Sequence, residues 1–103
     1  MSDSIEEISP EEVEELIKQG KAESIIDVRE HNEVMGGRIP NARHIPLGEI
    51  IQRTYEIEKE KEHVIVCRSG NRSGLASEWL QERGFKIKNM TGGMSKWKGD
   101  LEA

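Results

Sequence analysis

The sequence predicts an α/β fold in which a mostly parallel sheet is covered by helices on both faces. Short apolar runs typical of buried strands alternate along the chain with segments whose apolar residues recur at helical spacing. Glycine- or proline-containing breaks separate many of these segments. The chain has 103 residues, of which 34% are hydrophobic and 34% charged. This length and composition suit one modest core, so we predict a single domain over residues 1–103.

The first helix is predicted from its start and stop signals. A weak strand over residues 5–8 precedes Ser9, which can act as the N-cap. Pro10 then occupies the first helical position, and Glu12 completes a capping box with Ser9. Gly20 ends the helix.

The remaining elements follow from their apolar patterns. Further strands are predicted over residues 24–28, 43–45, 63–67 and 85–90. An amphipathic helix is expected at 47–55, a second at 73–83, and a short C-terminal helix after Gly92 and Gly93. The predicted apolar face of the helix at 73–83 consists of Leu75, Ala76, Trp79 and Leu80.

The lone cysteine, Cys67, begins a polar run at the end of the apolar stretch 63–66. This run reads Cys67-Arg68-Ser69-Gly70-Asn71-Arg72-Ser73. A cysteine at a strand end is often a small core residue, but this polar loop offers no apolar packing. A helix N-terminus and two nearby cations favour the thiolate. We therefore predict that Cys67 is a nucleophile that forms a covalent intermediate.

The other loop residues are expected to bind the substrate. Gly70 allows the backbone to curve tightly, so that its N–H groups can surround an anion. Arg68 and Arg72 would attract and orient an anionic substrate. Ser69, Asn71 and Ser73 can add hydrogen-bond donors or cap the following helix.

Four segments carry further motifs: residues 26–30, 37–42 with 45–47, 67–73, and 91–94 with Trp97. In these segments the chain resembles the single-domain rhodanese family. The resemblance implies a five-stranded, mostly parallel sheet between helices. It also implies that Cys67 accepts a sulfane sulfur, for example from thiosulfate, and passes it from a persulfide to cyanide or a thiol. Two residues depart from the family pattern: Arg38 stands where histidine is frequent, and Asn41 where glycine is common.

Two other functions are compatible with parts of this pattern. Cysteine-dependent phosphatases and arsenate reductases have an arginine one position further from the cysteine than Arg72, in a larger loop that accommodates a tetrahedral oxyanion. Only four residues separate Cys67 from Arg72, so the smaller loop suits a sulfur atom better. A non-catalytic binding or regulatory module is the other alternative, although such domains usually lack the cysteine or the loop arginines.

Composition limits the partners and the cellular compartment. A net charge of −5 argues against nucleic acid or an anionic membrane as the main partner. The sequence has neither a run of ~20 apolar residues nor a signal-peptide pattern. A single cysteine suits a reducing cytoplasm, and the histidines lack zinc-ligand spacing. We expect a cytoplasmic monomer without metal or cofactor. Its expected partners are a small anionic sulfur donor and a thiol or cyanide acceptor, with a sulfur-carrying protein as a further candidate.

Four residues outside the loop also have predicted roles. Asp27 ends a predicted central strand and is expected to hold the loops through a buried hydrogen bond or ion pair. Glu33 and Arg38 are expected to pair with each other or to face solvent. His44 is expected to be a structural histidine with its hydrogen bonds satisfied.

Overall fold

A five-stranded parallel sheet organises the molecule. The computed structural model describes residues 4–103, and the strand order is β1-β5-β4-β2-β3. The strands are β1 Glu7–Ile8, β2 Ser24–Asp27, β3 Arg43–His44, β4 Glu62–Val66 and β5 Lys86–Met90. All four strand pairings are parallel, which confirms the predicted fold class.

The central strands β2 and β4 are buried on both faces. Ile26 pairs with Ile65 in the register of these strands, and both side chains belong to one apolar cluster. The neighbouring pair Ile25 and Val64 belongs to a second cluster. Successive side chains of a strand point to opposite faces, so the sheet separates the two clusters. This explains why Ile25 and Ile26 of β2, and residues 64–66 of β4, are apolar without alternation.

Three α-helices and three short 3₁₀ turns complete the described chain. The α-helices are α1 Pro10–Lys18, α2 His31–Val34 and α3 Asn71–Glu82, and the 3₁₀ turns are Leu47–Glu49, Thr54–Glu56 and Gly93–Lys96. The capping box of α1 is confirmed: the hydroxyl of Ser9 accepts from Glu12 N–H at 3.1 Å, while Ser9 N–H donates to the Glu12 carboxylate at 3.0 Å.

The predicted amphipathic helix over residues 47–55 is wrong. The segment forms two separate 3₁₀ turns, in which Ile50 is buried but Ile51 and Tyr55 are exposed. Ile50 and Ile57 are buried in the core here and Leu47 packs partly against it, but Ile51 and Tyr55 do not, so the segment lacks the continuous buried face that would stabilise a helix.

Helix α3 begins earlier than predicted; Ala76 and Leu80 are buried and Trp79 packs against the core as expected, but Leu75 does not. The helix starts at Asn71 rather than near position 73, and Leu75 is exposed. The fully buried residues of the helix are Ser73, Ala76, Ser77 and Leu80. Two serines can be buried because their hydroxyl groups have partners; Ser77 Oγ, for example, donates to the carbonyl of Ser73 at 2.7 Å.

Candidate active site

Cys67 directly follows β4, at the carboxyl edge of the sheet. Asp27 at the end of β2 pairs with Val66 at the end of β4, so the loops that follow these two strands meet at this edge. Helix α3 begins four residues after Cys67, which places its N-terminus beside the cysteine. Ligand crevices of open α/β sheets lie at this edge.

Backbone N–H groups converge on the sulfur of Cys67. Gly70 N–H donates to Sγ at 3.0 Å, and the Ser73 hydroxyl oxygen lies 3.3 Å from Sγ. Gly70 is the N-cap of α3 with a φ of 99°, a left-handed conformation that favours glycine. The tight turn predicted at Gly70 is therefore confirmed, and it directs the amide inward.

These contacts shift the ionisation of the thiol. Burial raises the pKa of Cys67, but hydrogen bonds from the Ser73 side chain and from the amides of Ser73, Gly70 and Ser69 lower it more. The net pKa lies below that of an ordinary cysteine. Cys67 is fully buried and also belongs to the first apolar cluster. The residue thus packs in the core while its sulfur has polar partners.

The segment after β5 packs against the cysteine loop and forms backbone hydrogen bonds with it. Met94 N–H donates to the Cys67 carbonyl at 2.8 Å, and Ser95 N–H donates to the Arg68 carbonyl at 2.9 Å. Gly93 lies so close that a Cβ there would be 2.5 Å from backbone atoms of Cys67 and Arg68. This contact gives a physical reason for a glycine at position 93.

Arg72 is held by an acidic residue of α2. Its guanidinium donates to both carboxylate oxygens of Glu33, at 2.6 and 2.8 Å. The side-chain hydrogen bonds from Arg72 lower the pKa of Glu33 to about 2. The expectation that Glu33 pairs with Arg38 or faces solvent is therefore wrong. Arg38 instead forms two backbone hydrogen bonds with Glu102.

Arg68 is the loop arginine that remains available to an anion. Within residues 4–103 its exposed side chain has no ion-pair or hydrogen-bond partner. It borders an open depression of about 420 Å³, which Arg29, Glu33, Met94 and Ser95 also line. Ser69 and Asn71 are exposed, and their side chains form no hydrogen bond within the described chain.

A buried ion pair fixes the neighbouring loop after β2. The Arg29 guanidinium donates to both carboxylate oxygens of Asp27, with the shortest distance 2.8 Å, and to the carbonyl of Gly37 at 2.9 Å. His44 Nε2 donates to the Arg29 carbonyl at 2.6 Å. The predicted structural roles of Asp27 and His44 are thus confirmed.

Asn89 also contacts the cysteine loop, although it lies outside the 67–73 motif that predicted the site. This buried β5 residue accepts a 2.5 Å hydrogen bond from the Ser73 hydroxyl at Oδ1, and its Nδ2 donates to the Gly70 carbonyl at 3.3 Å. Asparagine is uncommon in buried strands, so its place in a predicted strand is a usable signal.

No group of three or more histidine, cysteine, aspartate or glutamate residues within 4–103 is arranged to hold a metal ion. Over the same residues, no helix has both the length and the apolar character needed to span a membrane.

The chain is similar to known proteins in sequence. The family model described as "Rhodanese-like domain" matches residues 9–100. A Bacillus subtilis protein named "Putative sulfurtransferase YtwF" is 44% identical over 98 residues, covering 95% of each chain. Another from the same organism, "Putative sulfur carrier protein YrkF", is 39% identical over 96% of this chain but only 54% of its own length.

A solved structure supports the same fold. A rhodanese-like domain protein from Staphylococcus aureus superposes with a TM-score of 0.90 at 33% identity, over 95% of this chain and 97% of the other.

Proposed function

Since the chain belongs to the rhodanese-like domain family, we propose that it is a sulfurtransferase whose nucleophile is Cys67. Cys67 takes a sulfane sulfur from a donor such as thiosulfate and carries it as a persulfide. It then gives this sulfur to cyanide or to a thiol. One observation carries the proposal: the loop amides and the Ser73 hydroxyl surround the cysteine sulfur and lower its pKa.

The two transfer steps balance without a cofactor. The Cys67 thiolate attacks the outer sulfur of thiosulfate, a new S–S bond forms, and sulfite leaves with the electron pair of the broken S–S bond. A thiolate or cyanide then attacks the outer sulfur of the persulfide. Its bond to Cys67 breaks, and the thiolate is regenerated. Amide N–H groups stabilise the charged sulfur in both states, because they are already oriented toward it.

The remaining loop residues have supporting roles in this proposal. Arg68 attracts the anionic donor into the adjoining depression, because its charge is exposed and unpaired within the described chain. Gly70 and Ser73 contact the sulfur directly. Ser69 contributes its backbone amide, and Asn71 begins the helix. Arg72 contributes positive charge that attracts the anionic donor, and its ion pair with Glu33 offsets part of that charge.

We further propose that the chain acts as a single, monomeric domain in the cytoplasm. A persulfide requires a reducing compartment for its thiol acceptors, and no second cysteine is present to form an internal disulfide. Any sulfur on Cys67 must therefore leave to another molecule. The relative named as a sulfur carrier makes a partner protein a reasonable acceptor besides small thiols or cyanide.

Intact-mass spectrometry tests this function. After incubation with thiosulfate, the protein is expected to gain about 32 Da, the mass of one sulfur atom, and to lose it on treatment with a thiol reductant. Cys67→Ser should gain nothing. If no sulfane donor among thiosulfate, polysulfide and glutathione persulfide loads the wild-type protein, the chain is a non-catalytic module instead.

The phosphatase or arsenate reductase alternative is less well supported. The loop arginine that would bind an oxyanion, Arg72, already uses its guanidinium to bind Glu33. If the protein hydrolyses an aryl phosphate and Cys67→Ser abolishes that activity, the result would support the phosphatase alternative.

A further inference from the structure

The Ser73 hydroxyl lies between two acceptors. On one side is Cys67 Sγ at 3.3 Å, and on the other is Asn89 Oδ1 at 2.5 Å. A serine hydroxyl has a single hydrogen, so it can donate to only one of them at a time. The orientation of the Asn89 amide is fixed because its Nδ2 donates to the Gly70 carbonyl. Oδ1 therefore faces Ser73 as an acceptor.

The protonation state of the sulfur decides where this hydrogen is needed. In the thiol form, S–H donates to Ser73 Oγ, whose own hydrogen goes to Asn89 Oδ1. In the charged form, the sulfur has no hydrogen and requires donors. If the Ser73 hydrogen then turns to the sulfur, Oδ1 loses its partner. Cys67 and Ser73 are fully buried and Asn89 is nearly so, which leaves little room for water to replace the lost bond.

We propose that Asn89 is a positioning residue that competes with the Cys67 sulfur for the single hydrogen of the Ser73 hydroxyl. Asn89 thereby holds Ser73 in place and limits how strongly Ser73 stabilises the charged sulfur. The proposal deepens the sulfurtransferase assignment and rests on it only in taking the charged sulfur as the reactive form. The hydrogen-bond competition itself concerns the ionisation of the thiol, whatever reaction follows.

Substitutions at positions 73 and 89 leave every charged side chain near Cys67 in place. Arg72 of α3 is paired with Glu33 of α2, Asp27 of β2 is paired with Arg29, and Arg68 is exposed. None of them is a partner of Asn89 in the described hydrogen bonds. A difference in the Cys67 thiol pKa between variants at positions 73 and 89 is therefore caused by loss of the Ser73 hydroxyl or the Asn89 amide.

The test is the pH dependence of alkylation of Cys67 by iodoacetamide. Ser73→Ala is expected to raise the thiol pKa, because a donor to the thiolate is lost. Asn89→Leu and Asn89→Ala should lower it, since Ser73 is then free to donate to sulfur; the acid dissociation constant should increase roughly two- to tenfold. In the Ser73→Ala background, the same changes at Asn89 should have no effect.

Controls separate this effect from a general disturbance. Ser77→Ala removes another buried hydroxyl from α3, but that hydroxyl donates to a backbone carbonyl, so the thiol pKa should not change. Circular dichroism and urea unfolding establish that each variant is folded. Asn89→Ala serves as the measured variant if Asn89→Leu does not fold. The inference is overturned if the Asn89 variants raise the thiol pKa, or if they shift it equally with and without Ser73.

The same samples distinguish this inference from the assigned function. Alkylation requires no sulfur donor, whereas loading from thiosulfate is followed separately by intact mass. Normal loading with no pKa change at Asn89 overturns only the inference. The expected pKa changes without any loading overturn only the sulfurtransferase function.

Discussion

At the scale of single residues, Arg68 and Arg72 flank the reactive loop in different electrostatic surroundings. Glu33 binds Arg72 through two short hydrogen bonds, so a carboxylate offsets much of that positive charge. Arg68 is exposed and has no such partner in the described chain. The two cations are therefore unequal as sites of attraction for an anionic donor, although the sequence places them symmetrically around Gly70.

This difference predicts unequal effects on thiosulfate use. Arg68→Leu is expected to raise the apparent KM for thiosulfate more than Arg72→Leu does. Glu33→Gln should lower that KM roughly two- to fivefold, because Arg72 is no longer offset by a carboxylate. Steady-state kinetics at low and high salt would measure both effects, which should diminish as salt rises. A larger KM change in Arg72→Leu than in Arg68→Leu would assign donor binding to Arg72.

How far the sequence predicts the site depends on how local each contact is. Cys67, Gly70 and Ser73 lie within one short segment, so their proximity could be inferred from a strand, a turn and a helix start. Glu33 contacts Arg72 across 39 positions, and Asn89 contacts Ser73 across 16. These contacts depend on how the loops and strands meet in space, which residue patterns along the chain do not specify.

At the scale of elements, the segment after β5 limits how the cysteine loop can sit. Gly93 has a φ of 59°, and any side chain there would collide with the backbone of Cys67 and Arg68. Met94 and Ser95 then bind the carbonyls of those two residues. The 3₁₀ turn at Gly93–Lys96 therefore acts as a support for the loop that carries the nucleophile.

Gly93→Ala is expected to damage both stability and the cysteine environment. Gly20→Ala provides a matched control, because Gly20 has a similar φ of 69° but no atom within 4 Å of an added Cβ. Each substitution incurs the left-handed penalty of about 1–2 kcal/mol. Gly93→Ala should lose about 1–3 kcal/mol more through the steric clash, as measured by urea unfolding.

The chemical readout for Gly93→Ala is the alkylation profile of Cys67. Displacement of the loop should weaken the amide contacts to the sulfur and raise the thiol pKa, whereas Gly20→Ala should leave it unchanged. Equal losses of stability in the two variants, with unchanged thiol pKa values, would contradict this role for the 3₁₀ turn at Gly93–Lys96.

Helix predictions succeeded where the determinants were local. The start of α1 was predicted from Ser9, Pro10 and Glu12, because the capping groups are near neighbours in sequence. The helix expected over residues 47–55 did not form, although its apolar spacing was regular. Spacing shows which residues could share a face but not whether the fold supplies a surface for that face to pack against.

At the scale of the whole molecule, the sheet separates two apolar clusters of the described residues, and the buried Asp27–Arg29 ion pair lies at the end of β2. The alternation of strands and helices predicted the parallel sheet, and the family resemblance implied five strands. The order β1-β5-β4-β2-β3 was not predicted, since pairing between distant strands depends on tertiary contacts. Asp27 lies at the end of a central strand of this sheet, and Arg29 joins it to the Gly37 turn.

The contributions of Asp27 and Arg29 to the free energy of unfolding should therefore depend on each other. Asp27→Leu or Arg29→Met leaves one buried charge without its partner, at a cost of about 3–5 kcal/mol. The double variant leaves neither charge, so its loss should be smaller than the sum of the single losses by about 1–3 kcal/mol. Urea unfolding of the four proteins measures this coupling.

An exposed ion pair serves as the control for this set of single and double variants. Lys18 and Glu14 lie 3.8 Å apart on α1, and the Lys18 side chain is 67% exposed. Solvent screens this pair, so its coupling should not exceed about 0.5 kcal/mol. Additive losses at Asp27 and Arg29 would mean that each side chain finds other partners when alone. The loop after β2 would then be held by its backbone contacts rather than by this ion pair.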